Sequence, residues 1–258
     1  MNTPVFSVVT MLLGLILAPA MLGLINRTKA VFAGRRGVPL LQAYYDLAKL
    51  LRKGAVYSRT TTWVFRLAPV VGLAAVMAAM MLMPIAGIPA PVAMTGDLIL
   101  FAYCLGLMRF ATVVAALDTG SSFEGMGASR EVQFSALAEP ALILSLASLA
   151  RMTGSLSLTG ALSGLNGASW VAAGPALALV AVALLIVFLT ENARIPVDDP
   201  NTHLELTMIH EVMVLDYTGP DLAFILYGAT LKLWVLGALI VNMILSFLKL
   251  DGAGALAA

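Results

Sequence analysis

The chain has 258 residues, of which 60% are hydrophobic and 11% charged, and its formal net charge at pH 7 is +1. Soluble domains average about half apolar and a quarter charged residues, so this composition excludes an ordinary soluble fold. The near-neutral charge balance gives no reason to expect a nucleic-acid partner. A single cysteine, Cys104, excludes an internal disulfide and a cysteine-ligated metal cluster within this chain.

Six apolar stretches are each long enough to cross a bilayer, which takes roughly 20 mostly apolar residues. We therefore predict an all-α integral membrane protein, in which residues 1–258 form a single membrane domain with a bundle of six transmembrane helices. The predicted helices are residues 4–25, 64–86, 98–117, 136–156, 170–189 and 222–248.

Basic residues predict the orientation of the bundle, because Lys and Arg mark the cytoplasmic side of a membrane. Eight of the fifteen lie in the connection that follows the first helix, namely Arg27, Lys29, Arg35, Arg36, Lys49, Arg52, Lys53 and Arg59. The predicted cytoplasmic segments are therefore 26–63, 118–135 and 190–221, and turns 87–97 and 157–169 are predicted outside. Residues 1–3 carry no basic side chain, so the first stretch resembles a retained helix more than a signal peptide. We expect a multi-pass protein of the cell inner membrane with its N-terminus outside.

The first cytoplasmic segment contains an amphipathic stretch. Residues 40–51 place apolar side chains on one helical face, with Asp46 and Lys49 largely off it. A helix lying flat at the membrane surface is predicted. The charges of this segment, Arg35 and Arg36 included, fit either the docking of a cytoplasmic partner or an ordinary positive-inside topology.

Acidic residues concentrate in the third cytoplasmic segment. Seven of the fourteen lie between 191 and 221, together with both histidines: Glu191, Asp198, Asp199, Glu205, Glu211, Asp216, Asp221, His203 and His210. If the run after Pro200 is helical, His203, His210 and Glu211 share a face. Neighbouring carboxylates and imidazoles shift one another's pKa, so protons can pass along them near neutral pH. The alternative is that these charges are docking contacts for another subunit.

A metal site is not predicted in this segment. A zinc-protease motif requires a second histidine four residues after the first, and Val214 stands at that position after His210.

Three further ionisable residues lie at membrane depth in the predicted helices: Arg109, Glu139 and Lys232. Such side chains are expensive in hydrocarbon unless they are paired or face water, so they predict a functional role. Glu139, which precedes Pro140 near the predicted start of its helix, also fits an ordinary first-turn carboxylate.

The run ENARIPVDDPNTHLELTMIHE, residues 191–211, closely resembles the long cytoplasmic loop of the respiratory complex I subunit 1 family. Within that family it resembles the membrane subunit of energy-converting NiFe hydrogenases, including formate hydrogenlyase. Two other motifs resemble the same family, and all three occur in the family's order on the same predicted side of the membrane. LLQAYYDLAKL, residues 40–50, resembles the family's amphipathic segment, and GMGASRE, residues 125–131, with Glu139 downstream, resembles its second loop.

Individual positions indicate the branch. The chain resembles complex I proteins at several positions but carries Asn201 and His203 where those proteins typically have glutamates. His203 and the His210–Glu211 pair resemble the hydrogenase branch instead. The shared positions are Glu191, Arg194, Pro196, Asp198, Pro200, Glu205 and Leu206.

The resemblance implies a non-catalytic membrane subunit of an oxidoreductase complex. It would carry no cofactor, would anchor hydrogenase large and small subunits that hold a NiFe centre and iron–sulfur clusters, and would lie beside antiporter-like membrane subunits. Redox energy would be relayed to proton or sodium translocation. The alternatives are a quinone-site subunit of NADH:quinone oxidoreductase and, in another class, a stand-alone ion transporter.

Two sets of residues carry these expectations. The ion-coupling set is Glu139, Glu191, Asp198, Glu205, Glu211, His203, His210, Arg109 and Lys232. The partner-docking set is Arg35, Arg36, Asp46, Lys49, Arg130, Glu131, Arg194 and Asp199. Members of the family usually have a final helix pair after the segment corresponding to 222–248, so the contact with a neighbouring membrane subunit is expected to differ here.

Overall fold

The computed structural model of the chain describes residues 3–195, 197–198 and 208–254, and this part is all-α. Six of its helices are long and apolar enough to cross a membrane, which confirms the predicted class and number of spans. They are α1 (Thr3–Phe32), α3 (Trp63–Met81), α4 (Asp97–Asp118), α5 (Ser122–Thr153), α7 (Gly167–Glu191) and α9 (Gly219–Gly254). Three shorter helices lie between them: α2 (Gln42–Leu51), α6 (Leu158–Ser163) and α8 (His210–Met213).

The fourth span differs most from its predicted bounds. Helix α5 begins at Ser122 rather than near residue 136, so the glycine-containing stretch 125–131 is helical and not a loop. The hydropathy pattern predicts only the apolar half of this helix, because the first turns carry polar residues that pack against other parts of the protein. Glu139 consequently lies in mid-helix, which excludes its alternative role as a first-turn carboxylate.

Packing centres on α4, α5 and α9. Helix α3 lies against α4 and α9, α5 lies between α4 and α7, and α1 and α2 pack on α9. The main apolar core fills the space between the spans. A second core lies where α3 and α9 begin and α4 ends. We call this side the α2 end of the bundle and the opposite side, which carries α6, the α6 end.

Two tyrosines compensate for prolines inside the spans. A proline has no N–H, so the carbonyl four residues before it loses its helical partner. Pro69 frees the carbonyl of Phe65, which accepts a hydrogen bond of 2.8 Å from the Tyr217 hydroxyl. In α1, Pro19 frees the carbonyl of Leu15, and the hydroxyl of Tyr227 donates to it at 3.0 Å. Both spans are thereby tied to the last helix and the turn before it.

The Tyr217 side chain is buried and its ring stacks on Phe65 with centroids 3.9 Å apart. Burial, and after it the nearby Asp221 and Glu124 carboxylates, raise the pKa of Tyr217 above its usual value. The hydroxyl therefore keeps its proton and remains a donor at physiological pH.

Close backbone contacts complete the α2 end. Asp118, the last residue of α4, accepts hydrogen bonds from the N–H groups of Thr62 and Phe65 and so caps α3. Gly219 adopts a left-handed φ of +58°, and a Cβ there would lie 2.6 Å from the carbonyl oxygen of Gly54. The start of α9 can therefore approach the chain after α2 only as glycine.

At the α6 end, the fully buried Asp97 organises the short helix α6. Its carboxylate accepts from the Leu158 N–H at 2.5 Å and from the Ser157 hydroxyl at 3.0 Å. This carboxylate is satisfied by local donors, as expected of a structural cap.

We expect Tyr217→Phe to destabilise the protein by about 1–3 kcal/mol, because it leaves the buried Phe65 carbonyl without a donor. A lower thermal unfolding temperature in detergent would show this. Tyr103→Phe is the matched control, because Tyr103 is 69% exposed on α4. Equal unfolding temperatures for both variants and the wild type would contradict the proposed compensation.

Candidate functional site

Arg109 on α4 lies at the centre of a cluster of charges inside the bundle. Its side chain is only 6% exposed, and its three guanidinium nitrogens face three different carboxylates. Nη1 lies 2.9 Å from Glu139 Oε1, Nε lies 3.4 Å from Glu131 Oε1, and Nη2 donates to Glu191. One cation thus serves carboxylates from α5 and from the end of α7.

Lys232 of α9 completes this group, which we call the Arg109 cluster: Arg109, Glu131, Glu139, Glu191 and Lys232. Lys232 Nζ lies 3.7 Å from Glu191 Oε2, a buried oxygen that makes no hydrogen bond within residues 3–195, 197–198 and 208–254. Glu191 therefore lies between two cations, and four spans contribute to the cluster. With two basic and three acidic side chains, full ionisation leaves one negative charge in excess.

A cavity of about 290 Å³ connects the cluster to the α2 end. Glu131, Glu191 and Lys232 line its deep side, and Asp46 of α2 and Glu211 of α8 line its outer side. Between them it is also lined by Arg194, Asp198 and His210. Three residues of the lining have a buried atom that makes no hydrogen bond to the part of the chain that the structure describes: Glu191 Oε2, Asp198 Oδ1 and His210 Nε2. A polar cavity of this size accommodates water, which can satisfy such atoms.

The first turns of α5 hold the segment that carries α8. Arg130 donates to the Met208 carbonyl at 3.0 Å, and Glu124 accepts from the Asp216 N–H at 3.1 Å. Gly127 lies so close that an added Cβ would be 3.0 Å from the Ile209 carbonyl oxygen. The extended helix α5 therefore positions the outer wall of the cavity.

Asp198, near the end of α7, is hydrogen-bonded to the backbone at the start of α8. It is buried, and its Oδ2 accepts from the N–H groups of Ile209 at 3.1 Å and His210 at 3.4 Å. These bonds hold α8 against the end of α7. Its other oxygen is buried and makes no hydrogen bond to any described residue, and Asp198 lines the cavity.

His210 is held neutral. Burial, followed by the positive charges of Lys232 and Arg194, lowers the pKa of His210 from 6.5 to about 4. Burial also lowers the pKa of Arg194. A neutral imidazole accepts a hydrogen bond at one nitrogen and donates one from the N–H of the other, so His210 can hydrogen-bond to water in the cavity at neutral pH.

The structure places the members of the predicted ion-coupling set in three ways. Arg109, Glu139, Glu191 and Lys232 belong to the cluster, and Asp198, His210 and Glu211 line the cavity. His203 and Glu205 lie outside the described residues. Helix α8 begins only at His210, and Met208 and Ile209 are not helical, so the condition for the shared face, a continuous helix through residues 203–211, is not met at these two residues.

The members of the predicted docking set lie at different places in the structure, and Asp46 among them is exposed. Glu131 belongs to the Arg109 cluster, Arg130 holds the Met208 carbonyl, and Arg194 and Asp46 line the cavity. Arg35, Arg36 and Lys49 are exposed at the α2 end. Asp199 lies outside the described residues.

The sequence did not single out Glu124, and it predicted Glu131 for partner docking and not for the ion-coupling set. The signal was their spacing: Glu124, Glu131 and Glu139 recur at intervals of seven and eight residues, which places them on one helical face. That pattern becomes visible only once residues 122–153 are recognised as one helix.

Comparisons with known proteins agree with this architecture. The chain is 34% identical over 244 residues to hydrogenase-4 component C of Escherichia coli (strain K12), an alignment covering 94% of this chain and 76% of that protein. It is 31% identical over 216 residues to formate hydrogenlyase subunit 4 of the same organism, covering 83% of this chain and 69% of the relative.

A solved structure shares the fold. A chain of the membrane-bound sulfane sulfur reductase, an archaeal respiratory membrane complex, superposes with a TM-score of 0.71, covering 99% of this chain and 90% of that one at 19% identity. The family model described as NADH dehydrogenase matches residues 5–255. The chain therefore belongs to the NADH dehydrogenase family, that of respiratory complex I subunit 1.

Proposed function

We propose that this chain is the membrane anchor and ion-coupling subunit of a multi-subunit, membrane-bound NiFe hydrogenase of the formate hydrogenlyase type. Its orientation in this proposal is N-terminus outside the cell inner membrane, with the α2 end in the cytoplasm. Two relatives above 30% identity are named as components of hydrogenase-4 and formate hydrogenlyase, which supports the hydrogenase branch over a quinone-linked one.

The Arg109 cluster is the observation that carries the coupling part of the proposal. Charged side chains at membrane depth are expensive, and this chain retains five of them in contact across four spans. Asp97 shows how the same protein uses a purely structural carboxylate, with donors on each side. Glu191, by contrast, has one oxygen that makes no hydrogen bond to any described residue; that oxygen lies 3.7 Å from Lys232 Nζ, and Glu191 lines the polar cavity.

A route from the cytoplasm to the cluster follows the lining of the cavity. Glu211 and Asp46 stand at its outer side, His210 and Asp198 follow, and Glu191 with Lys232 lies at its end. A change of charge in a partner docked at the outer side alters the proton affinity of nearby carboxylates through space. The interaction weakens slowly inside a low-dielectric interior, so it reaches the buried pair.

The anchoring part of the proposal rests on the α2 end. Arg35, Arg36 and Lys49 are exposed there, beside the amphipathic helix α2. Hydrogenase large and small subunits, which hold the NiFe centre and iron–sulfur clusters, would dock on this surface. Antiporter-like membrane subunits would complete the ion pathway within the bilayer.

Purification in mild detergent tests the branch. We expect a tagged chain isolated from its native host to bring down a hydrogenase-like large subunit together with nickel, measured by mass spectrometry and elemental analysis. Arg35→Glu combined with Arg36→Glu should reduce this recovery by reversing the exposed charge. A nickel-free complex that oxidises NADH and contains quinone would overturn the hydrogenase role in favour of the quinone-linked alternative.

Glu191→Gln tests the coupling. The amide cannot carry a charge or accept a proton as the carboxylate does, so we expect ion transport to fall to background while hydrogen evolution from reduced viologen continues. Liposomes containing the whole complex, with pH-sensitive and sodium-sensitive dyes, measure the transport. Asp216→Asn, an exposed carboxylate outside the cavity lining, is the control. Undiminished ion transport in Glu191→Gln would leave only the anchoring role.

The half-buried His210 predicts a pH dependence of stability. The folded pKa of His210 lies near 4, below the value of 6.5, so the unfolded chain binds more protons between these values. Stability is therefore fully present above about pH 6.5 and falls as the pH drops toward 4, by up to about 3 kcal/mol.

Thermal unfolding at pH 6.5 and pH 4.5 measures this effect. We expect His210→Gln to lose much of the wild-type decrease over this interval, because the titrating group is gone. Glu211→Gln, which alters the next residue but keeps the imidazole, should retain it. The same decrease in His210→Gln and wild type would show that His210 is not held neutral.

A further inference from the structure

A second opening reaches the Arg109 cluster from the opposite side. A groove of about 400 Å³ runs between α4 and α5, from Gly96 and Leu156 at the α6 end to Arg109 and Glu139 at mid-depth. From Asp97 to Arg109 the helix rises roughly 18 Å at 1.5 Å per residue. The groove therefore extends over more than half of the roughly 30 Å hydrocarbon thickness, and its lining includes the exposed side chains of Tyr103 and Ile143 on transmembrane helices.

Among the described residues that line this groove, the charged ones are Arg109 and Glu139 at its deep end. The Glu139 side chain is 47% exposed, although it lies in mid-helix between apolar neighbours. It shares the Arg109 guanidinium with Glu131 and Glu191, and the cluster carries more acidic than basic groups. An acidic side chain facing lipid at this depth costs about 2.5–3.5 kcal/mol, so a second donor, added to the Arg109 Nη1 that lies 2.9 Å from Glu139 Oε1, would stabilise the exposed part of this carboxylate.

Lipid alone does not supply that donor. Acyl chains carry no hydrogen-bond donor, and lipid headgroups lie at the membrane surface rather than at mid-depth. A transmembrane helix can fill an apolar groove while satisfying its own backbone. The walls of the groove also leave room for a transmembrane helix, because three small residues line it: Ala102 and Gly106 on α4 and Ala147 on α5. The larger side chains of Tyr103 and Ile143 beside them are exposed.

We propose that the α4/α5 groove binds a transmembrane helix of another subunit, and that a basic or hydrogen-bond-donating side chain of that helix pairs with Glu139. This rests on the proposed function in so far as it requires a partner in the same membrane. The partner would complete the surroundings of the Arg109 cluster on the side away from the cavity.

Photo-cross-linking in native membranes tests the proposal. Benzoylphenylalanine replaces Tyr103 or Ile143, which line the groove. As a control, it replaces Leu179, which is 72% exposed on α7 and does not line the groove. We expect one protein adduct from both groove positions, with the cross-linked peptide in a transmembrane helix that carries a basic or hydroxyl side chain. Leu179 should give lipid adducts. Lipid adducts alone at the groove, or a peptide outside such a helix, overturn the proposal.

A pair of neighbouring substitutions then tests whether the groove itself is occupied. Ala147 and Ser148 are both exposed on α5, but only Ala147 lines the groove. Ala147→Trp should abolish the adduct by filling the space, and Ser148→Trp should leave it. Equal adducts from both variants would place the contact elsewhere.

The outcomes separate the two proposals. Nickel recovered with the chain, together with lipid adducts alone at the groove, overturns the helix-binding site and leaves the hydrogenase role standing. A transmembrane-helix adduct at the groove in a complex without nickel supports the helix-binding site and overturns the hydrogenase role.

Discussion

The positive charge of Arg109 is the feature on which the interior of the bundle depends. Removing one member of a buried ion pair costs about 3–5 kcal/mol, and here one guanidinium serves three carboxylates. The helices that carry them can pack only where all three reach the same cation. The ordering of α4, α5, α7 and α9 therefore follows from charge as much as from apolar burial, and any motion of Arg109 alters all three carboxylates together.

The need to give every buried polar group a partner also determines how other helices of the fold pack. Membrane helices cannot leave backbone carbonyls unpaired, and prolines in α1 and α3 create such carbonyls. Hydroxyls of Tyr227 and Tyr217 satisfy them from α9 and from the turn before it. Helix α9 thus joins spans that are far apart in sequence, and the same helix brings Lys232 to the charged cluster.

The sequence predicts the number of spans, because hydrocarbon thickness determines how many apolar residues a span needs. It also selects Arg109, Glu139 and Lys232 as residues that need partners. The partners themselves were not predictable, since they depend on helix rotation and depth. The start of α5 was missed because polar residues such as Glu124 and Arg130 lower hydropathy without breaking a helix. Glu131 was consequently assigned to a docking surface, although it lies against Arg109.

Helix α5 also sets a distance and an angle. Its 32 residues extend roughly 48 Å, whereas the hydrocarbon core of a bilayer is about 30 Å thick, so part of the helix extends beyond the bilayer. One residue inserted between Glu124 and Glu139 would rotate one group relative to the other by about 100°. The segment held by Glu124 and Arg130 would then no longer face the cavity above Arg109. Within this stretch, evolution can exchange side chains much more readily than it can change the number of residues.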